Sequence, residues 1–167
     1  MLSTLLIYES IYGSTEKVAK NLALIMGPAR YCRTDEVKDN YKNFDMIVIG
    51  SPVYREKLDS RIIKFLEKNL DWLKEKKVAL FCTCLAGQGG ERYLQGLIEL
   101  LGDCVVVSKS IAGNLELGKL KEKDYKDITS FFNKFHIQQE DKLGLNMNQI
   151  TEFGCELIKV RDSVKHF

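Results

Sequence analysis

LLIYESIYGSTEKV, residues 5–18, is the stretch that decides how the rest of the chain is read. Leu5, Leu6, Ile7 and Tyr8 form a short apolar run whose length and composition suit a buried strand. A hydroxyl-rich turn follows at Ser10, Ile11, Tyr12, Gly13, Ser14 and Thr15. After it, Val18, Ala19, Leu22 and Ala23 recur at helical spacing. A strand, a tight loop and a helix in succession aim backbone N–H groups and the positive end of a helix dipole at an anion. The loop offers hydroxyls and a glycine but neither Lys nor Arg, so it reads as a cradle that holds a phosphate without a cation. A nucleoside-triphosphatase loop differs, because it needs Gly-Lys-Ser/Thr to reach the outer phosphates and a metal. The plainer alternative is a helix N-cap, for which Ser14 or Thr15 alone would suffice.

The bulk composition suits one domain spanning residues 1–167 with a core of ordinary size. Hydrophobic residues make up 45% and charged ones 29%, the balance of a soluble globular protein. No apolar run approaches the roughly 20 residues of a spanning helix. Glu9 and Glu16 arrive too early for a signal peptide, so a cytoplasmic location is expected. The five cysteines, Cys32, Cys82, Cys84, Cys104 and Cys155, are scattered and odd in number, as suits buried thiols in a reducing compartment. Cys82 and Cys84 would share a strand face, but no further Cys or His lies near them in sequence to complete a zinc or iron–sulfur set. The net charge is +2, with Lys interleaved with Glu and Asp, which marks solvated faces rather than a nucleic-acid surface.

Beyond the first helix, Gly27-Pro28 is a break and residues 29–33 suit a short second strand. Residues 34–45 are polar, with room for a helical turn. Residues 46–50 are a fully apolar run ended by Gly, as in a central strand. A helix then carries Ile62, Ile63, Phe65, Leu66 and Leu70 inward, with Ser60 or Asp59 as its cap. Residues 78–83 form another strand, residues 91–101 a helix with Tyr93, Leu94, Leu97, Ile98 and Leu101 inward, and residues 104–111 a last strand. Apolar strands alternating with amphipathic helices imply a parallel sheet covered on both faces, with right-handed crossovers. Ligands of such sheets sit at the carboxyl ends of the strands near the switch point, so residues 9–15, 51–59 and 84–90 are expected to meet. The tail adds a helical stripe over 119–135, with Leu120, Tyr125, Ile128, Phe131, Phe132 and Phe135, and then a closing helix within 146–167.

Three readings fail on their own residues. A receiver domain needs acidic residues after the first strand and a phospho-accepting Asp ending the third, where Gly50-Ser51 stands. A tyrosine-phosphatase loop needs an Arg where Gly90 follows Cys84. A dinucleotide-binding turn needs Gly-x-Gly-x-x-Gly after the first strand.

Ser10-x-x-Gly13-Ser14-Thr15, placed directly after the first strand, resembles the FMN-phosphate loop of the flavodoxin family, with Tyr12 replacing the usual middle hydroxyl residue. Variants with an aromatic residue before Gly-Ser/Asn-Thr are similar to the flavodoxin domains of flavodiiron proteins and to small flavodoxin-like oxidoreductases. The resemblance implies an α/β fold, a flavodoxin-like three-layer sandwich with a five-stranded parallel sheet in the order 2-1-3-4-5. The segment at about 114–145 then becomes a helical insertion after strand five. It also implies non-covalent FMN held by Ser10, Ile11, Tyr12, Gly13, Ser14 and Thr15. Tyr54 would stack on the ring from a turn stiffened by Pro52 and flanked by Val53, and amides of Ala86, Gly87, Gln88 and Gly89 would meet the pyrimidine edge.

Two functions follow from the resemblance. One is an electron-transfer flavoprotein serving a redox partner protein, although free carriers in the family are usually acidic and this chain is not. The other is an FMN-dependent oxidoreductase acting on a small quinone or porphyrin-like substrate. Its length, its Gly50-Ser51-x-x-Tyr54 stretch, its insertion and its non-acidic balance are similar to the menaquinone-dependent protoporphyrinogen oxidases. No aromatic residue lies between Phe81 and Tyr93, which on this reading leaves one flavin face open. No side chain stands out as a catalytic acid or base, and a domain whose loop is vestigial is the third alternative.

Overall fold

In a computed structural model, which describes residues 1–85, 89–134, 136 and 142–163, the apolar runs become strands and the periodic segments helices. In chain order these are β1 (Thr4–Tyr8), α1 (Ser14–Met26), β2 (Ala29–Arg33), β3 (Met46–Tyr54), β4 (Lys57–Leu58), α2 (Ser60–Leu73) and β5 (Lys77–Cys84). There follow α3 (Glu91–Leu101), β6 (Val105–Ala112), β7 (Leu115–Glu116), α4 (Glu122–Lys134), β8 (Lys142–Leu143) and α5 (Met147–Asp162). The parallel strands lie in the order β2-β1-β3-β5-β6, which is the expected 2-1-3-4-5 once the two-residue β4, antiparallel to β3, is set aside.

Strand geometry splits the apolar runs between the two faces, because successive side chains point oppositely. Leu5, Ile7, Ile47, Ile49, Val78, Leu80 and Cys82 face one way and pack with Ile62, Phe65 and Leu66 of α2 and Leu94 and Leu97 of α3. Leu6, Tyr8, Val48, Ala79 and Phe81 face the other way and pack with Val18, Leu22 and Met26 of α1 and Ile150, Phe153 and Leu157 of α5. The result is a three-layer sandwich with the loops that follow β1, β3 and β5 gathered at the strand carboxyl termini.

Glycine matters most at Gly50. It pairs in register with Phe81, and a Cβ there would stand 2.1 Å from the Phe81 ring. β6 is an edge strand, and Val106 is 38% exposed, so this run is less buried than its apolar composition predicts.

Asp59 caps α2 by accepting the Arg61 N–H at 2.9 Å, which selects it over Ser60. α5 docks as the closing helix, and Lys77 at the start of β5 secures its end. The Lys77 ammonium donates to the carbonyls of Val160 at 2.8 Å, Arg161 at 3.1 Å and Ser163 at 2.7 Å. A cation there meets both the last carbonyls of the helix, which lack intrahelical amide partners, and the negative end of the helix dipole. Lys77→Met is therefore expected to lower stability by about 1–2 kcal/mol. In a thermal melt this reads as about 2–4 °C per kcal/mol for a chain of this size.

The aromatic segment does not join either face of the sheet. Phe132 of α4 packs with Leu115 and Leu117 in a separate small cluster, supported by Leu85, Leu120, Ile128 and Phe131. One expectation is reversed within it. Tyr125, placed in the apolar stripe by its spacing, is 43% exposed, while Asp124 beside it is buried. Phe135 lies outside the described residues. Among the described residues, no helix is long and apolar enough to cross a membrane.

Candidate functional site

The loop after β1 is built from its own side chains. Glu9 is 2% exposed, and its carboxylate accepts from Arg33 at 3.0 Å, pairs with Arg61 at 2.8 Å and accepts the Thr34 hydroxyl at 2.5 Å. This buried anion pins the start of the loop to β2 and α2. The Ser10 hydroxyl then accepts the Gly13 N–H at 3.0 Å, closing the turn. Gly13 adopts φ 87°, a left-handed conformation that glycine reaches at little cost, and α1 starts at the next residue.

The N-cap alternative for Ser14 and Thr15 does not hold, because neither caps the helix. Gly13 occupies the cap position and no side chain caps it. The Ser14 hydroxyl instead accepts the Asn114 N–H at 2.6 Å, which ties the chain leaving β6 to the loop. The Thr15 hydroxyl is buried and shares a 2.8 Å hydrogen bond with that of Thr83 at the end of β5. The first-turn amides of an α-helix lack intrahelical partners, and here no cap side chain covers them.

The second loop differs from its expected form. β3 runs on to Tyr54 and turns straight back into β4, with Val53 opposite Leu58 and Tyr54 opposite Lys57. Arg55 and Glu56 form the turn, with φ of 50° and 59°. Pro52 therefore sits within β3 and not in the turn, because its ring fixes φ near −65° and this turn needs positive φ twice. Arg55 packs over the Tyr54 ring at 5.0 Å. Below, Ser51 accepts the Asp59 N–H at 2.9 Å and so fixes the way into α2.

In the third loop, Ala86, Gly87 and Gln88 lie outside the described residues. Gly89 has φ 75°, and Gly90 sits where a Cβ would come within 2.1 Å of the Ser110 hydroxyl. Cys82 and Cys84 share a face, as their spacing predicts. The Cys82 thiol reaches the Gly90 carbonyl at 3.4 Å, and the Cys84 thiol the Ser110 hydroxyl at 3.4 Å. Hydrogen bonding to Cys84 and burial push the Cys82 thiol well above its ordinary range, so it stays protonated.

These loops converge on one cavity of about 550 Å³ at the carboxyl ends of β1, β3 and β5, within the range of small-molecule sites. Ser10, Ile11, Tyr12, Ser14, Thr15, Pro52, Val53, Tyr54 and Gly89 all line it, and Gly13 shapes the loop that does so. Sequence reasoning missed several walls. Tyr93, assigned to the core side of α3, lines the cavity from the first turn of that helix. Aromatic character at this end thus comes from a neighbouring helix instead of from the loop itself. Gly113, Asn114 and Leu115 form a wall after β6, for which the sequence carries no motif.

The insertion lines a further side. Leu120, Ile128 and Phe131 line the cavity, and so do Asp124 and Asp127. The Tyr12 hydroxyl donates to Asp124 in a short hydrogen bond. Burial and that bond raise the Tyr12 phenol above its usual range. Arg55 pairs with Asp124 at 3.1 Å and with Asp127 at 2.9 Å.

A family model described as a flavodoxin domain matches residues 5–142. Solved structures agree in fold. A flavodoxin from the domain Archaea is 15% identical with a TM-score of 0.57, over 97% of this chain and 100% of that one. The two-electron reduced flavodoxin of Megasphaera elsdenii is 22% identical with a TM-score of 0.55, over 64% of this chain and 84% of that one. A flavoprotein of Lactobacillus acidophilus, solved in complex with FMN, is 22% identical with a TM-score of 0.55, over 66% and 93% respectively. At such identities the likeness speaks for the fold. No sequence match is found among curated proteins.

Proposed function

The chain belongs to the flavodoxin domain family, and from that premise we propose that it binds FMN non-covalently in the cavity and works as an electron-transfer flavoprotein. One observation carries the reading: the phosphate-type loop, the Tyr54 turn and the glycine loop border a single cavity at the sheet's switch point. The residues present fit the group. Ser10, Gly13, Ser14 and Thr15 surround a helix start with no cap side chain, which suits a phosphate. Tyr54 presents an aromatic ring on the wall, and Val53, Leu85 and Leu115 supply apolar surface for a planar ring system. When bound, the flavin supplies the redox chemistry, while the protein positions it and tunes its surroundings.

The chain's own residues do three things. The hydroxyl loop anchors the anionic end, the Tyr54 wall orients the ring, and α4 limits water on the far side. Among the charged residues of the lining, Arg55 is paired with Asp124 and Asp127, and Arg92 faces a wall that also carries Glu56. The partner is a redox protein, in a cytoplasmic setting.

The visible spectrum of the purified protein tests this, followed by FMN titration of the apoprotein. Flavin absorbance with one equivalent taken up is the expected result. Ser14→Ala is expected to weaken binding about tenfold, since it removes a hydroxyl and frees the Asn114 segment. A colourless protein that takes up no FMN would sink the proposal.

A second reading, an FMN-dependent oxidoreductase of protoporphyrinogen or quinone type, draws on a separate observation. The insertion contributes Leu120, Ile128 and Phe131 to the cavity, apolar surface suited to a planar substrate. Steady-state turnover with a quinone or protoporphyrinogen would favour it. Absence of turnover together with rapid reduction by a reductase would leave the carrier reading.

A further inference from the structure

Asp124 is placed against the logic of its helix. It is 6% exposed, and the next residue, Tyr125, is 43% exposed. Burying a carboxylate costs several kcal/mol unless its charge and lone pairs are met. Both are met, from two different loops. One oxygen accepts the Tyr12 hydroxyl, in the loop after β1. The other accepts from the Arg55 guanidinium at 3.1 Å, in the turn after β3. Asp127, three residues further along the helix, takes the same guanidinium at 2.9 Å. The Lys121 N–H, just before α4, donates to the Tyr12 hydroxyl at 3.4 Å.

The turn being held is itself strained. Arg55 and Glu56 both stand in the left-handed region, with φ of 50° and 59°. Side chains there are disfavoured, and such strain persists only where surrounding contacts over-determine it. Arg55 is restrained by the Tyr54 ring on one side and by the two α4 carboxylates on the other.

We propose that Asp124 is a positioning residue: it clasps the insertion helix to both loops at once, sets their separation, and holds α4 closed over the ligand cavity. Opening the clasp is then the step that admits and releases the ligand. The part of this concerning flavin release rests on the FMN reading above. The part concerning α4 and the loops does not.

The test has two arms, so that failure of one reading can be told from failure of the other. The first is amide hydrogen exchange on the ligand-free protein. D124A is expected to speed exchange about tenfold in α4 and in residues 54–58, and to leave β1 and β5 unchanged. D124N is expected to have a smaller effect, because its amide oxygen still accepts from Tyr12 while only the ionic contact to Arg55 is lost. Y12F should loosen α4 in the native background and add little in the D124A background, while R55A should keep only the part of its effect that runs through Asp127. The second arm is FMN release followed by stopped-flow fluorescence, expected to be about tenfold faster in D124A. Exchange in α4 unchanged by D124A and D124N would overturn the clasp. So would a rise spread evenly over the sheet, or Y12F and R55A effects that persist in full without Asp124. If the wild-type protein takes up no FMN, the flavin reading falls and the exchange arm still decides the clasp.

Discussion

A Gly13→Val protein should bind FMN with a dissociation constant about ten- to a hundredfold above that of the wild type. The cost lies in the backbone, not in space. A Cβ at position 13 would meet nothing within 4 Å, so no clash opposes it. The backbone, however, stands at φ 87°, ψ −5°, where a β-branched residue is a strong outlier. Such strain costs of the order of 1–3 kcal/mol, and the turn can shed it by rotating the peptides that open α1. That rotation would break the bond from the Gly13 N–H to the Ser10 hydroxyl and turn the first amides of α1 away from the anion. Gly13→Asn serves as the control, because Asn tolerates the left-handed region several-fold better than most residues. Isothermal titration of the two variants separates the causes. Loss in the valine variant with retention in the asparagine variant supports the backbone account. Equal affinity for all three proteins would remove the loop from the binding site.

The largest loss of stability is expected from Phe81→Ala, about 3–5 kcal/mol. Phe81 is fully buried, packs edge-on to Phe153 of α5 at 6.2 Å, and covers Gly50 on the neighbouring strand. Removing the ring leaves a void between β3, β5 and α5 that the rigid sheet cannot collapse to fill. At about 2–4 °C per kcal/mol, the melting temperature should fall by about 10 °C. The same contact can be tested from the other side. Gly50→Ala places a Cβ 2.1 Å from the ring and overpacks the core, at a cost of about 1–3 kcal/mol. Together the two changes should cost less than their sum, since the added methyl occupies part of the space vacated by the ring. Strict additivity in a denaturant titration would mean that the two positions do not compete for one volume.

How much of this was legible beforehand depends on whether the physics is local. The strands could be read because a run such as Leu5–Ile7 or Met46–Ile49 must be buried whatever surrounds it, and the helices because their apolar residues recur at 3.6-residue spacing. Gly13 could be placed in a tight strand-to-helix turn because the apolar run before it and the helical spacing after it leave only a few residues between them. The two-residue β4 could not be read. Arg55 and Glu56 are not turn-forming types, and the contacts that Arg55 makes with Tyr54, Asp124 and Asp127 come from parts of the chain that local sequence does not show. Tyr93 was assigned to the core for a similar reason. The stripe of an amphipathic helix names the side that is covered but not whether packing or a cavity covers it.

From residues 5–18 outward, the sequence by itself determined a parallel α/β sheet with a hydroxyl-rich loop after its first strand, because periodicity and turn chemistry act over a few residues. Only the tertiary structure decided that Asp124 is buried and Tyr125 exposed, and that an insertion whose Asp124 lies 112 residues beyond Tyr12 lines the cavity. A charge on a helix is exposed by default, and it becomes an interior group only when a hydroxyl and a guanidinium from distant loops arrive to meet it.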